Sequence, residues 1–180
     1  HEFESLAGAE INHAGQMAAN RYSRDVPLAP SHFPVAMHDP VQARTMDLSD
    51  IRKLRKWHRG AALRAKKAGF DIVYVYAGHQ LSTISHFLSP YRNRRLDEYG
   101  GSLKNRARLL CEVLSDTKDA VGDTCAVALR FAVDELLGNL GFTSTDEGHD
   151  LIEMLAEEPD LWDVNLSNWE NDSASSRFKQ

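Results

Sequence analysis

The amino-acid sequence predicts an α/β protein in which parallel strands alternate with helices. Three short, nearly continuous apolar segments have the composition of strands buried on both faces: residues 70–76, 125–133 and 161–166. Longer segments with apolar residues at helical spacing separate them. Because such alternation is built from parallel strands joined by right-handed crossovers, a doubly wound sheet and a barrel both fit the pattern.

The starts of the helices carry capping signals. Asp47 or Ser49 is placed to cap a first helix, and Ser102 a second. Ser144-x-x-Glu147 has the form of a capping box before a third helix. The first two helices are expected to end at glycines, which favour the conformation that follows a helix: Gly69 and Gly122.

A proline-rich segment follows the first candidate strand, Leu6 to Asn12. Asn20 to Val41 contains four prolines, and we expect no regular element there. A loop of this length inside a compact domain is typical of a functional segment or a disordered one. The prolines are Pro27, Pro30, Pro34 and Pro40.

Composition excludes several classes of function. At 180 residues and 42% hydrophobic, the chain has enough apolar side chains for one core. A net charge of −5 leaves no basic surface for nucleic acid. No apolar run is long enough to span a membrane. The chain begins at His1 without a methionine and ends in a polar run, so we expect it to be truncated at both ends.

The cysteines and histidines do not indicate a metal site. Cys111 and Cys125 lack C-x-x-C spacing and are expected to be buried thiols in a reducing, cytoplasmic compartment. His13, His79 and His86 lack the spacing of metal ligands, so no metal is expected. Neither a dinucleotide-binding glycine motif nor a P-loop is present in the sequence.

Polar side chains follow each candidate strand, whereas the loops that lead back into the strands are short and plain. In α/β proteins the carboxyl ends of parallel strands form the ligand-binding face. This asymmetry favours an enzyme over a structural repeat. The polar residues, in chain order, are Glu10, Asn12, His13, Tyr76, His79, Arg130, Asp134, Asn165, Trp169 and Asp172.

Taken singly, these residues also have structural interpretations. Arg130 lies inside a buried strand and needs a partner, which is either an ion pair with a neighbouring strand or a bound anion or electron-rich ring. Glu10 leaves the same choice open. His79 alone fits a structural histidine, and Trp169 alone fits a packed core indole.

One segment carries a specific family resemblance. Residues 86–106, HFLSPYRNRRLDEYGGSLKNR, resemble the signature loop of the old yellow enzyme family. Those proteins are FMN-binding (β/α)₈ barrels. The resemblance implies that residues 1–180 form part of such a domain, covering roughly strands three to six, and that the flavin phosphate site lies on later strands.

Two further features resemble one branch of that family, the trimethylamine, dimethylamine and histamine dehydrogenases. Tyr76 stands where most reductases of the family carry a histidine, and Trp169-Glu170-Asn171-Asp172 is similar to a W-x-x-D segment of the branch. The resemblance implies that Tyr76, His79 and Asp172 form the catalytic triad. It makes Trp169 a wall of the amine-binding pocket.

The same resemblance implies a flavin role for two residues. Arg130 matches an arginine beside the flavin ring, where it would stabilise negative charge on the reduced ring. Glu10 matches the residue that pairs with the pyrimidine edge of the flavin ring. We therefore expect FMN as the cofactor.

The resemblance also implies partners for the intact protein. These are a small amine substrate, an electron-transfer flavoprotein as acceptor, a 4Fe-4S cluster ligated outside this segment and a homodimer. Two alternatives remain: an NAD(P)H-dependent ene-reductase or 2,4-dienoyl-CoA reductase, and an isolated chain without activity of its own.

Overall fold

The computed structural model describes residues 4–18, 23–34 and 42–166, which contain two sheets, four α-helices and three short 3-10 helices. The larger sheet is four-stranded and parallel, in the order β1-β5-β6-β7. The smaller sheet has the order β2-β4-β3. The strands are β1 (Gly8–Ile11), β2 (Leu28–Ala29), β3 (Phe33–Pro34), β4 (Gln42–Thr45), β5 (Ile72–Ala77), β6 (Ala126–Ala132) and β7 (Leu161–Asn165). The helices are α1 (Leu48–Lys67), α2 (Thr83–Leu88), α3 (Leu103–Val121) and α4 (Glu147–Leu155).

The predicted alternation of parallel strands and helices is confirmed. Helix α1 begins after Asp47, whose carboxylate accepts from the backbone N–H of Asp50 at 2.8 Å, while Asp50 reciprocates as the other half of a capping box. Ser102 caps α3 as predicted. Among the described residues, no helix has the length and apolar character that crossing a bilayer requires.

The predicted capping box at Ser144 is wrong. Helix α4 begins at Glu147, after Asp146. The Asp146 carboxylate accepts from the backbone N–H of Thr143 at 2.7 Å, and the Glu147 carboxylate pairs with Arg106. Since the Glu147 side chain is taken up by that ion pair, it does not turn back to cap the helix.

The proline-rich segment contains regular structure, contrary to the prediction. Strands β2 and β3 lie within it and both pair with β4, β2 in parallel and β3 antiparallel. Pro34 is tolerated because β3 is an edge strand, where a missing N–H need not interrupt a ladder. Residues 35–41, at the end of the predicted loop, lie outside the described residues.

The main core lies between the large sheet and the helices. Val75, Leu129 and Phe131 are fully buried in one hydrophobic cluster that includes residues of α1, α3 and α4. Because side chains alternate along a strand, the neighbours of these residues within each strand point to the opposite face of the sheet. That opposite face carries the polar residues described below.

The signature segment 86–106 acts as a structural brace. The Asn93 side chain is buried and donates to the carbonyls of Phe87 and Tyr99, both at 2.7 Å. Arg95 donates to the carbonyls of Pro30 and Met46, which ties the segment to the small sheet. The polar residues of the motif therefore satisfy backbone groups both within the segment itself and beside the small sheet.

Candidate active site

Three polar side chains share one level of the large sheet. Tyr76 of β5 is in register with Arg130 of β6, and Arg130 is in register with Asp163 of β7. Glu10 of β1 is in register with Tyr74, two residues before Tyr76, so it points to the same face. The four side chains form what we call the polar wall: Glu10, Tyr76, Arg130 and Asp163.

Arg130 lies between two carboxylates of the polar wall. Its Nη1 is 3.1 Å from Oε2 of Glu10, and its Nε is 3.3 Å from Oδ2 of Asp163. The three side chains are each 38–39% exposed, so the pairs orient the guanidinium more than they stabilise the fold. Of the interpretations left open for Arg130, the structure contains the ion pair with a neighbouring strand, through Asp163 of β7, while Glu10 lies one strand further away on β1.

Two titratable side chains at the end of β5 are hydrogen bonded to each other. The Tyr76 hydroxyl lies 2.8 Å from Nδ1 of His79. Burial, followed by the negative charge of Glu10, raises the pKa of Tyr76 to about 12. Burial, followed by the positive charge of Arg130, lowers the pKa of His79. At neutral pH the pair therefore holds a protonated tyrosine next to an uncharged imidazole.

A turn of the backbone places His79 beside Tyr76. His79 and Gln80 have φ angles of 54° and 55°, in the left-handed region that residues other than glycine seldom adopt. Two successive residues of this kind turn the chain sharply at the end of β5. The guanidinium of Arg130 lies 6.0 Å from the centre of the Tyr76 ring, so His79 is joined to the polar wall through Tyr76.

The structure gives other partners to several predicted strand-end residues, among them His13 and Asp134. His13 turns toward α1 and α2, where Nδ1 lies 2.7 Å from the hydroxyl of Thr83 and the ring stacks on Trp57. Asp134 accepts from the backbone N–H of Leu136 at 2.7 Å and shapes the loop after β6. Both residues have structural partners.

Two of the predicted site residues, Trp169 and Asp172, lie outside the described residues. Their part in an amine pocket and a catalytic triad remains a prediction. Conversely, sequence reasoning missed Asp163. The position of a charged residue in the middle of a short strand could have indicated Asp163 as a candidate. Its alignment with Arg130, however, depends on a strand register that the sequence does not show.

A parallel sheet with helices on one face and a polar wall on the other is half of a (β/α)₈ barrel, with the wall on the inside. The chain belongs to the NADH:flavin oxidoreductase / NADH oxidase family, which it matches over residues 1–179. The barrel fold and the family expected from the signature segment are thereby confirmed.

Amine-oxidising enzymes are among the relatives. The chain is 37% identical over 187 residues to dimethylamine dehydrogenase of Hyphomicrobium sp. (strain x), covering 99% of this chain and 25% of that protein. Its structure is similar to 6-hydroxypseudooxynicotine amine oxidase of Pseudomonas geniculata N1, with a TM-score of 0.90 and 52% identity over 98% of this chain and 26% of the other. Histamine dehydrogenase of Rhizobium sp. 4-9 gives a TM-score of 0.87 and 47% identity, with 93% and 24% covered. The chain thus spans about a quarter of the length of these relatives.

Proposed function

We propose that the intact protein oxidises a small amine and passes the electrons to FMN. The observation that carries the proposal is the Tyr76–His79 hydrogen bond beside Arg130 on the inner face of a flavin-family barrel. Relatives named as amine dehydrogenases and an amine oxidase support the substrate class. A bound FMN would supply the acceptor for two electrons.

The polar wall fits a flavin ring. Nε of Arg130 is buried and has no hydrogen-bond partner among the described residues, although it lies in ionic contact with Asp163. A guanidinium held in this way would favour a bound flavin that gains negative charge, because the positive charge of Arg130 would attract it. We propose Glu10 and Arg130 as the flavin-binding residues of this segment.

The Tyr76–His79 pair suits the protonation problem of amine oxidation. A free alkylamine is mostly protonated near neutral pH, yet its oxidation requires the nitrogen lone pair. In the proposed relay, the Tyr76 oxygen takes the ammonium proton while its own proton passes to Nδ1 of His79. Asp172 is the proposed carboxylate that stabilises the charged imidazole, and Trp169 is the proposed cation-binding face.

The partners of the intact protein are part of the same proposal. We propose a cytoplasmic homodimer that passes electrons to an electron-transfer flavoprotein through a 4Fe-4S cluster ligated outside this segment. Mass spectrometry of the full-length protein, with iron and sulfide analysis, tests both the dimer and the cluster.

The alternative substrate class is a reduced nicotinamide, as in an ene-reductase or 2,4-dienoyl-CoA reductase. The description of the family as NADH:flavin oxidoreductases favours it. Anaerobic reduction of the bound flavin by dimethylamine or histamine, compared with NADH, distinguishes the two. Rapid reduction by NADH alone would contradict the amine proposal.

The chain by itself is proposed to be inactive. Strands β1 and β7 lie at the two edges of the four-stranded sheet, where each leaves one row of backbone groups without a strand partner among the described residues. Such edges promote aggregation. Fluorescence titration of the isolated chain with FMN tests this point, because tight stoichiometric binding would contradict it.

A further inference from the structure

Asn165, the last residue of β7, carries a buried amide group without a hydrogen-bond partner. Both Nδ2 and Oδ1 are inaccessible to solvent, and neither has a partner among the described residues. Leaving a buried donor and acceptor unpaired destabilises a protein, and native structures rarely do so without a reason. Asn93 shows the usual arrangement, because its buried amide donates to two carbonyls.

The Asn165 side chain lies within the proposed active site. Asn165 is in register with the small residue Ala132 of β6 and reaches across it toward Gly78, beyond the end of β5. A β-carbon on Gly78 would lie 2.8 Å from Nδ2 of Asn165, 3.2 Å from Cε2 of Tyr76 and 3.7 Å from Cγ of Arg130. Glycine at position 78 thus provides the space that brings the amide next to Tyr76 and Arg130.

We propose that the Asn165 amide binds the ligand that occupies the space in front of Tyr76 and Arg130. Nδ2 donates to a carbonyl or ring nitrogen of that ligand, and Oδ1 accepts from an N–H group. The amide is neutral, so it adds direction without disturbing the charges of Glu10, Arg130 and Asp163. This inference rests on the proposed function for the location of the ligand.

Two ligands offer this chemistry. The flavin ring has adjacent carbonyl and N–H groups, and an amine substrate has N–H groups for Oδ1. Both ligands therefore offer hydrogen-bonding groups to the Asn165 amide. Separate binding measurements on FMN and on the amine show which of the two it contacts.

The test uses Asn165→Leu in the full-length protein, with Asn165→Ala as the second variant in case leucine prevents folding. Leucine has nearly the same shape without polar atoms, so the flavin-free protein should unfold at a temperature equal to wild type or a few degrees higher. Asn12→Leu is the matched control: Asn12 lies next to the end of β1, as Asn165 lies at the end of β7, but its Nδ2 donates to the carbonyl of Leu81 at 3.3 Å. The control should show no gain in stability.

Binding is measured by FMN titration of the flavin-free protein and by the dimethylamine concentration that gives half-maximal flavin reduction. If the ligand is the flavin, the FMN dissociation constant rises about tenfold in Asn165→Leu. If it is the amine, FMN binding is unchanged and the half-saturating dimethylamine concentration rises by a similar factor.

A lower unfolding temperature in both Asn165 variants would show that the amide is bonded within the protein and would overturn the inference. Unchanged binding of both ligands would overturn it as well. Failure of every amine to reduce the wild-type flavin would instead contradict the proposed function, and FMN binding alone would then decide the role of Asn165.

Discussion

The Tyr76 hydroxyl and Nδ1 of His79 lie 2.8 Å apart, and their surroundings move their pKa values in opposite directions. Burial favours the neutral form of each, so it holds the proton on the tyrosine and keeps it off the imidazole. Glu10 adds to the effect of burial on the pKa of Tyr76, and Arg130 adds to it on the pKa of His79. The opposing effects, of Arg130 on Tyr76 and of Glu10 and Asp163 on His79, are smaller than that of burial. A pair of groups whose pKa values are moved apart in this way is typical of acid–base sites, where one group supplies a proton and the other receives it.

Tyr76→Phe should slow the reduction of the flavin by an amine and change its pH dependence. The substitution removes the hydroxyl but keeps the ring beside Arg130. General acid–base catalysis contributes about 10²–10⁴-fold to a rate, and a loss at the lower end is expected because His79 remains. Stopped-flow reduction between about pH 6 and pH 10 measures both effects. An unchanged pH profile would remove Tyr76 from proton transfer.

Arg130→Met should lower the reduction potential of the bound flavin. Loss of the cation would leave the carboxylates of Glu10 and Asp163 without Arg130, and their charge would disfavour added negative charge on a flavin bound at the proposed site. A fall of about 30 mV corresponds to a tenfold change in the equilibrium constant for reduction by two electrons. Arg130→Lys is the control, because it keeps the positive charge but not the simultaneous contact with Glu10 and Asp163. Its flavin reduction potential should stay close to the wild-type value. Equal potentials in wild type and Arg130→Met would show that Arg130 does not act on the ring.

Much of the parallel sheet could be predicted from the sequence, because its strands are short apolar runs with clear ends. The strand predicted over 70–76 is β5 at Ile72–Ala77, and the one predicted over 125–133 is β6 at Ala126–Ala132. The small sheet could not be predicted in this way. Strands β2 and β3 have two residues each, and their pairing with β4 depends on contacts between distant parts of the chain.

The site was predicted as a set of strand ends, but its internal contacts were not. Family resemblance singled out Tyr76 and His79, and the structure places them in hydrogen-bonding contact. The position of Arg130 between Glu10 and Asp163 depends on the register of three strands, and periodicity leaves that register open.

Helix α2 was also missed, since its capping box pairs Ser82 with another serine, Ser85, and lacks the usual glutamate.

Asn93→Ala should destabilise the protein without a direct effect on the flavin. It removes a buried amide and leaves the carbonyls of Phe87 and Tyr99 unpaired, at a cost of about 1–3 kcal/mol for each buried group. Leu96→Ser is the control in the same loop, because Leu96 is fully exposed and should tolerate the change. Urea unfolding of the full-length protein measures the difference. Equal stabilities of the two variants would refute the brace function of the segment.

His86 should make the protein less stable in acid. Burial, followed by the charge of Arg92, lowers the pKa of His86 to about 3, and its Nε2 lies 2.8 Å from the carbonyl of Gln80. His13 also opposes its protonation. The unfolded chain takes up the proton near pH 6.5 and the folded one does not, so stability is lost as the pH falls below that value, by about 1.4 kcal/mol per pH unit.

The matched variant for that prediction is His86→Gln, which keeps a donor for the carbonyl of Gln80 and does not titrate in this range. Glu135, whose pKa burial raises to about 7, is present in both proteins, so the difference between their pH profiles isolates His86. Stability is measured by urea unfolding at several pH values. Parallel profiles for wild type and His86→Gln would contradict the assignment.

The most direct test of the amine proposal is anaerobic stopped-flow reduction of the flavin in the full-length protein. Dimethylamine, trimethylamine, histamine and NADH are compared, each with wild type and His79→Gln. The account predicts fast reduction by at least one amine, slow reduction by NADH, and a selective loss of the amine reaction in His79→Gln. Fast reduction by NADH with no response to any amine, or equal amine rates in wild type and His79→Gln, would contradict it.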